Sequence, residues 1–157
     1  MVQDQIGPFL KYLTVVKNSS PHTVRNYSLD LNNFFAFLQS EGCEGKVEKQ
    51  AIRKFLAYLH EHGSKRRTVL RRLSTLNSFF SYLVKQKILE TNPLEAIDRP
   101  KLEKTLPANL SYAQVERLFE QPDTGGLLGF RDRCMMELLY SSALRISELL
   151  GLNRSDL

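Results

Sequence analysis

The chain has 157 residues, 42% of them hydrophobic and 25% charged, with a formal net charge of +5 at pH 7. This composition is typical of a globular protein and excludes a disordered chain. No apolar run approaches the roughly 20 residues that a membrane helix needs, and the first residues lack the basic-then-apolar order of a secretory signal. Two cysteines and three histidines, none with metal-ligand spacing, predict a cytoplasmic protein with free thiols and no metal site.

The positive charge lies in one segment of the chain. Between Ser64 and Glu90 there are seven basic residues and one acidic residue, which gives this segment a net charge of +6 and the remaining chain −1. Positive charge that is concentrated in this way points to a polyanionic partner, most often nucleic acid.

Residues 1–90 contain four stretches with the i, i+3, i+4 apolar spacing of helices. The second helix starts with Ser20 as N-cap and Pro21 in the first helical position. Gly63 ends the third helix and Ser64 caps the fourth. No segment alternates with the two-residue period of a strand, so the sequence predicts an all-α protein that begins with a four-helix bundle.

Residues 91–109 are predicted to be a linker between two domains, because prolines at this density keep a chain extended. The linker prolines are Pro93, Pro100 and Pro107. Ser111 then opens a new helix, with Gln114 completing a capping box. "LLGFRDRCMMELLYSS" and "ALRISELLGL" predict two further helices. Residues 110–157 are marginal as an independent domain, and we interpret them as the opening of a larger one.

The fourth helix has a basic face opposite its apolar stripe. This face is formed by Arg67, Arg71, Ser74 and Ser78, flanked by Thr68 and Thr75, with Lys65 and Arg66 in the first turn. Arginine forks suit phosphate oxygens and the paired acceptors of guanine. The helix dipole disfavours cations in the first turn, which favours a binding role over a solvated basic face, although the latter stays open.

The start of the second helix, "SSPHTVRNY", is a weaker candidate. His22, Thr23, Arg25 and Asn26 lie where free backbone N–H groups can hold a phosphate. Ordinary helix capping is the alternative.

Arg145 lies in an apolar stretch predicted to be helical, where burial of an arginine is costly unless it is paired. Glu148, three residues later, is one possible partner, which would make a structural ion pair. The alternative is that the guanidinium faces a cleft and binds phosphate. Spacing alone leaves both open.

The sequence resembles the tyrosine recombinases of the phage integrase family, in particular their Xer branch. The stretch "RDRCMMELLYSSALRISELLGLNRSDL" contains the family's [AG]-L-R-[IV]-S-E-L motif, and "SPHTVRNYSLDLNNFFAFL" and "SKRRTVLRRLSTLNSFFSYL" resemble the DNA-facing helices of its SAM-like core-binding domain. "NPLEAIDRPK" resembles the interdomain linker. The resemblance therefore implies a core-binding domain, a linker and the first helices of a catalytic domain.

The resemblance also implies roles for individual residues. Arg145 matches the first active-site arginine, which clamps the scissile phosphate. Segments that would face duplex DNA contain Thr23, Arg25, Asn26, Lys65, Arg66, Arg67, Arg71 and Arg72. The intact protein would cleave and rejoin DNA through a 3′-phosphotyrosyl intermediate, as a tetramer on DNA, with a second recombinase subunit as a candidate partner and without a cofactor.

The remaining active-site residues of the family, including the tyrosine nucleophile, lie downstream of the arginine motif and have no match here. We therefore expect a truncated chain that binds DNA and does not cleave it. Two other functions stay open: a non-enzymatic DNA-binding module, such as a regulator or accessory factor, and a helical protein-interaction domain whose basic helix meets an acidic partner. The target site and the biological role, whether chromosome dimer resolution, integration or inversion, also stay open.

Overall fold

The computed structural model of the protein describes residues 2–42, 47–95, 97 and 108–156. In these residues all regular structure is helical, so the fold is all-α, as predicted. The helices are α1 (Ile6–Val15), α2 (Pro21–Ser40), α3 (Lys49–Glu61), α4 (Arg66–Lys85), α5 (Tyr112–Phe119), α6 (Leu127–Ser142) and α7 (Ile146–Leu150). Single turns of 3-10 helix cover Gln3–Gln5 and Arg154–Asp156.

The chain divides into two compact units, Met1–Lys104 and Thr105–Leu157, which we call unit 1 and unit 2. The predicted domain limits at residues 90 and 110 stay predictions. Two of the three linker prolines, at positions 100 and 107, lie outside the described residues, as does the cysteine at position 43.

The four helices of unit 1 enclose one apolar core. Its largest fully buried side chains are five phenylalanines: Phe9, Phe34, Phe55, Phe79 and Phe80. Their rings meet edge to face, with Phe34 at 5.0 Å from Phe55 and 6.2 Å from Phe80 between ring centroids. Edge-to-face contacts of this kind add to the free energy gained by burying the rings.

Helices α2 and α4 pack against each other in this core. Asp30 on α2 contacts Thr75 on α4. Further along both helices, Phe35 contacts Phe79 at 6.0 Å between ring centroids. The middle of α2 therefore packs on the middle of α4.

Capping explains where α2 begins and why α4 begins one residue later than predicted. The Thr23 backbone N–H donates to the Ser20 side chain at 3.2 Å, which confirms the predicted N-cap of α2. The prediction that Ser64 caps α4 is wrong. Its N–H donates to the Leu59 carbonyl at 2.9 Å and so closes the end of α3, after Gly63 at φ +66°. The N-cap of α4 is Lys65, without a side-chain capping bond.

The chain after α4 packs back onto unit 1. The Asn92 side chain is buried and donates to Asn77 and to Ser81, each at 3.1 Å. Its oxygen accepts from the Leu94 N–H at 3.0 Å, and the Leu94 side chain joins the apolar core. The first residues of the predicted linker thus belong to the packed part of unit 1.

Unit 2 has less buried apolar surface. The predicted capping box of α5 is present, with bonds from the Ser111 N–H to Gln114 at 2.8 Å and from the Gln114 N–H to Ser111 at 3.4 Å. Arg133 on α6 lies over the ring of Phe119 at 5.0 Å and so joins α6 to α5. Of the apolar side chains that the structure describes in this unit, Val115 and Leu149 are buried.

The prediction of one helix over "ALRISELLGL" is wrong in its first half. Ala143 has φ 52° and ψ 27°, the left-handed conformation that ends α6. The helix resumes only at Ile146, with Arg145 as its N-cap. The arginine therefore lies at a helix start and not within an apolar helix.

Candidate nucleic-acid interface

The start of α4 carries three exposed cations, Lys65, Arg66 and Arg67. Among the residues that the structure describes, none of the three has a hydrogen bond or ion pair to another side chain, and the first turn of α4 contains no acidic residue. The partial positive charge of the helix N-terminus adds to these three charges. The result is a concentrated positive potential of the kind that holds phosphate groups.

The predicted outward face of α4 continues from this cluster. Arg71 and Ser74 are exposed and Ser78 is half-buried, in agreement with the helical spacing. Thr75, predicted to flank the face, is instead fully buried. It turns toward α2, because α2 packs against that edge of α4.

The start of α2, the weaker candidate, contributes fewer free groups. Thr23 takes part in the helix cap, with its hydroxyl 3.0 Å from that of Ser20. Arg25 is exposed and Asn26 is half-buried. Arg25 and Asn26 are thus the available members of the predicted set on this helix.

Arg71 and Arg72, which the sequence places in a DNA-facing segment, are paired with a carboxylate. Arg71 Nη1 donates to Asp30 Oδ2, and Arg72 Nε lies 3.8 Å from Asp30 Oδ1. The same Oδ2 accepts from the Thr75 hydroxyl at 2.9 Å. Both arginines therefore share a buried carboxylate on α2.

Asp30 was not among the site residues predicted from the sequence. The available signal was its position directly before Leu31 and four residues before Phe34, which places a carboxylate at the edge of the apolar stripe of α2. A carboxylate there needs a partner, because burial of an unpaired charge is costly. The packing of α2 against α4 decides which of the seven basic residues becomes that partner.

Arg145 is exposed, with 81% of its side-chain surface open to solvent. Its backbone N–H donates to Glu148 Oε2 and its Nη1 donates to Glu148 Oε1, both at 2.8 Å. The ion pair between Arg145 and Glu148 that the sequence spacing allows is therefore present. It lies at the surface, so it does not compensate for burial of the arginine. Glu148 holds one edge of the guanidinium and leaves the other donors available to an anion.

The described residues contain no group of three or more His, Cys, Asp or Glu side chains that could hold a metal ion. Within the same part of the chain, no helix has the length and apolar character to cross a membrane. Cys134 on α6 is a free, partly exposed thiol.

Comparison with known families agrees with this architecture. The profile "Phage integrase, N-terminal SAM-like domain" matches residues 6–87, which include α1 to α4. The profile "Phage integrase family" matches residues 108–157, which include α5 to α7.

Proteins named tyrosine recombinase XerC are similar over nearly the whole chain. The protein from Chlamydia pneumoniae is 45% identical, with 96% of this chain and 55% of the relative covered. Those from Pelotomaculum thermopropionicum and Psychromonas ingrahamii are 41% and 40% identical, and each match covers 52% of the relative. The chain thus spans about half the length of the curated relatives it matches.

Proposed function

The chain belongs to the phage integrase family, and on that premise we propose that it binds duplex DNA through the N-terminal turns of α4 and α2 in site-specific DNA recombination. The observation that carries this proposal is the cluster of three unpaired cations at the start of α4. A structural ion pair cannot account for them, since none has a partner among the described residues. Contacts with the phosphate groups of DNA would account for these three cations.

The neighbouring side chains suit a helix that enters a groove of DNA. Arg67, Arg71 and Ser74 follow one another at helical spacing on the outward face of α4, where arginine and serine can donate to base edges or phosphates. Arg25 and Asn26 are the corresponding candidates at the start of α2. We assign Arg66 and Arg67 to phosphate contacts that position the protein.

For Arg145 we propose the role of the first phosphate-clamping arginine of a recombinase active site. Strand transfer at phosphorus builds negative charge on the non-bridging oxygens, and a preorganised guanidinium stabilises that charge in the transition state. Glu148 supports this role, because its two bonds to Arg145 fix the direction of the side chain. The exposed edge of the guanidinium is the edge that would meet the phosphate.

For a protein of the full length of the curated relatives, we propose cleavage and rejoining of DNA through a 3′-phosphotyrosyl intermediate, in a tetramer on two recombination sites, with or without a second recombinase subunit. We place this activity in the cytoplasm, with chromosomal DNA. These steps depend on the family relationship.

The DNA-binding proposal is tested by fluorescence anisotropy of the whole chain on a labelled 30-base-pair duplex across a salt series. We expect the double variant Arg66→Gln/Arg67→Gln to bind more weakly and to lower the log–log salt slope by about 0.9 for each phosphate that is no longer neutralised. Arg53→Gln is the matched control, because Arg53 is an exposed arginine on α3 outside the proposed interface.

A loss of binding free energy in Arg53→Gln that is half that of the double variant, in proportion to the one charge removed against two, would show that net charge alone governs binding and would contradict the assignment to α4. Absence of binding by the unaltered chain at low salt, together with recovery of an acidic protein partner, would favour the protein-interaction function instead. A covalent adduct of this chain with a nicked duplex would contradict the expectation that it does not cleave.

A further inference from the structure

Asp30 is a carboxylate buried beside the proposed DNA-binding face. Only 3% of its side-chain surface is exposed. Its Oδ2 accepts two hydrogen bonds, from the Thr75 hydroxyl and from Arg71 Nη1, while its Oδ1 lies 3.8 Å from Arg72 Nε. Together with the two arginines it forms a group of net charge +1.

The two arginines are held differently. Arg71 keeps 46% of its side-chain surface exposed, whereas Arg72 keeps 21% and its Nε is buried without a hydrogen-bond acceptor. Nη1 of Arg71 donates to the carboxylate, and its Nε and Nη2 have no hydrogen-bond acceptor among the described residues, so these donors remain available. Arg71 is therefore both accessible and fixed in orientation.

Thr75 fixes the carboxylate in turn. It is fully buried and its hydroxyl is 2.9 Å from Asp30 Oδ2, so the oxygen that holds Arg71 is itself held by α4. A guanidinium must be well oriented to donate two parallel bonds to guanine, and orientation supplied in advance lowers the entropy cost of that contact.

Arg67, one turn before Arg71 on the same face, provides the contrast. It has the same side chain but no acidic partner among the described residues, and it is free to follow any phosphate. A neighbouring carboxylate lowers the attraction of Arg71 to phosphate in general, and specificity is the difference between the affinities for two sequences.

We propose that Asp30 is a positioning residue that makes Arg71 a specificity-determining contact with DNA and prevents it from acting as a general phosphate contact. This inference rests on the proposed function, since it assumes that α4 meets DNA. It goes beyond that function by separating two arginines of one helix face into different roles.

The test compares Asp30→Asn with the unaltered whole chain on two duplexes. One is selected from a random-sequence pool by the unaltered chain, and the other is a scrambled sequence of the same length. We expect Asp30→Asn to increase the salt slope on the scrambled duplex by about one, because the freed Arg71 neutralises one more phosphate. We expect the ratio of the two Kd values to fall on the order of ten-fold.

Second-site variants identify the arginine responsible. In an Arg71→Gln background, Asp30→Asn should leave the slope and the ratio unchanged. In an Arg67→Gln background, the full effect should persist. A merely structural tie between α2 and α4 predicts the opposite pattern, a loss of affinity for both duplexes in every background.

The outcomes separate the two claims. If the unaltered chain binds neither duplex, the proposed function fails and this inference fails with it. If it binds and Asp30→Asn changes neither slope nor ratio, only this inference is overturned. If Asp30→Asn loses its helical circular dichroism, Thr75→Val replaces it and should change both quantities in the same direction by a smaller amount. An unchanged slope and ratio in Thr75→Val would then overturn the inference.

Discussion

Units 1 and 2 are both helical, but they bury their apolar side chains to very different extents. In unit 1 the phenylalanines of four helices close a continuous core, and Leu94 and Ile97 extend it beyond α4. In unit 2 large apolar side chains of α6, such as Leu127, Leu128 and Phe130, are exposed. The difference indicates that unit 1 buries enough apolar surface to be stable by itself, whereas we expect unit 2 to be marginal alone, because most of its described large apolar side chains are partly or fully open to solvent.

The largest effect is expected when the two units are produced as separate chains. We expect residues 1–97 alone to keep helical circular dichroism and a cooperative urea transition, because all the described core residues of unit 1 lie within them. Residues 108–157 alone should show weak helicity, no cooperative transition and binding of a hydrophobic dye. A cooperative transition in residues 108–157 would contradict the comparison.

A matched pair of phenylalanines tests the same difference within the whole chain. Phe34 is fully buried and Phe130 is 56% exposed. Phe34→Ala should lower the free energy of unfolding of unit 1 by about 3–5 kcal/mol, because apolar burial is removed and a cavity is left. Phe130→Ala should change it by less than about 0.5 kcal/mol. Urea unfolding followed by far-UV circular dichroism measures both, and similar decreases would show that α6 is packed in solution.

The buried hydrogen bond between Thr75 and Asp30 in unit 1 is expected to contribute less to stability than the aromatic core. Thr75→Val keeps the volume of a buried side chain but removes the donor to Asp30. We expect a decrease of about 1–2 kcal/mol in the free energy of unfolding, because the buried Asp30 side chain loses one of its hydrogen-bond donors. In an Asp30→Asn background the same substitution should cost less, and equal costs in both backgrounds would rule out the bond as the cause.

Loss of a helix cap is expected to have the smallest effect on the free energy of unfolding. The two caps compared are both serine side chains, one in each unit. Ser20 caps α2 in unit 1, and Ser111 caps α5 in unit 2. Ser20→Ala should lower the free energy of unfolding of unit 1 by about 1 kcal/mol. Ser111→Ala should leave the urea midpoint of unit 1 unchanged and reduce only local helicity. A shift of that midpoint by Ser111→Ala would mean that the two units unfold together.

Much of unit 1 could be predicted from the sequence because its signals are local. Apolar spacing and the Ser20–Pro21 pair located α2, and Gly63 ended α3 where a left-handed residue was needed. The start of α4 was misplaced because the Ser64 N–H closes α3. The break before α7 was missed because the left-handed residue is Ala143, and alanine carries no local signal for that conformation.

The candidate site was predicted less completely, for a different physical reason. The basic residues at the start of α4 could be found from sequence, because charge density is a property of the sequence alone. The partners of Arg71 and Arg72 could not, because Asp30 lies 41 residues before Arg71 and meets it only through the packing of α2 on α4. Arg145 was expected among apolar neighbours, and the helix break instead places it at an exposed N-cap.

The most direct test of the proposed interface measures where DNA binding resides. Fluorescence anisotropy on one labelled duplex, across one salt series, compares residues 1–97 with the whole chain. We predict Kd values within about three-fold of each other and salt slopes that differ by no more than about one, the contribution of a single phosphate at Arg145, since the rest of the proposed interface lies within α2 and α4. Absence of binding by residues 1–97 would contradict this prediction and would assign the DNA contact to unit 2.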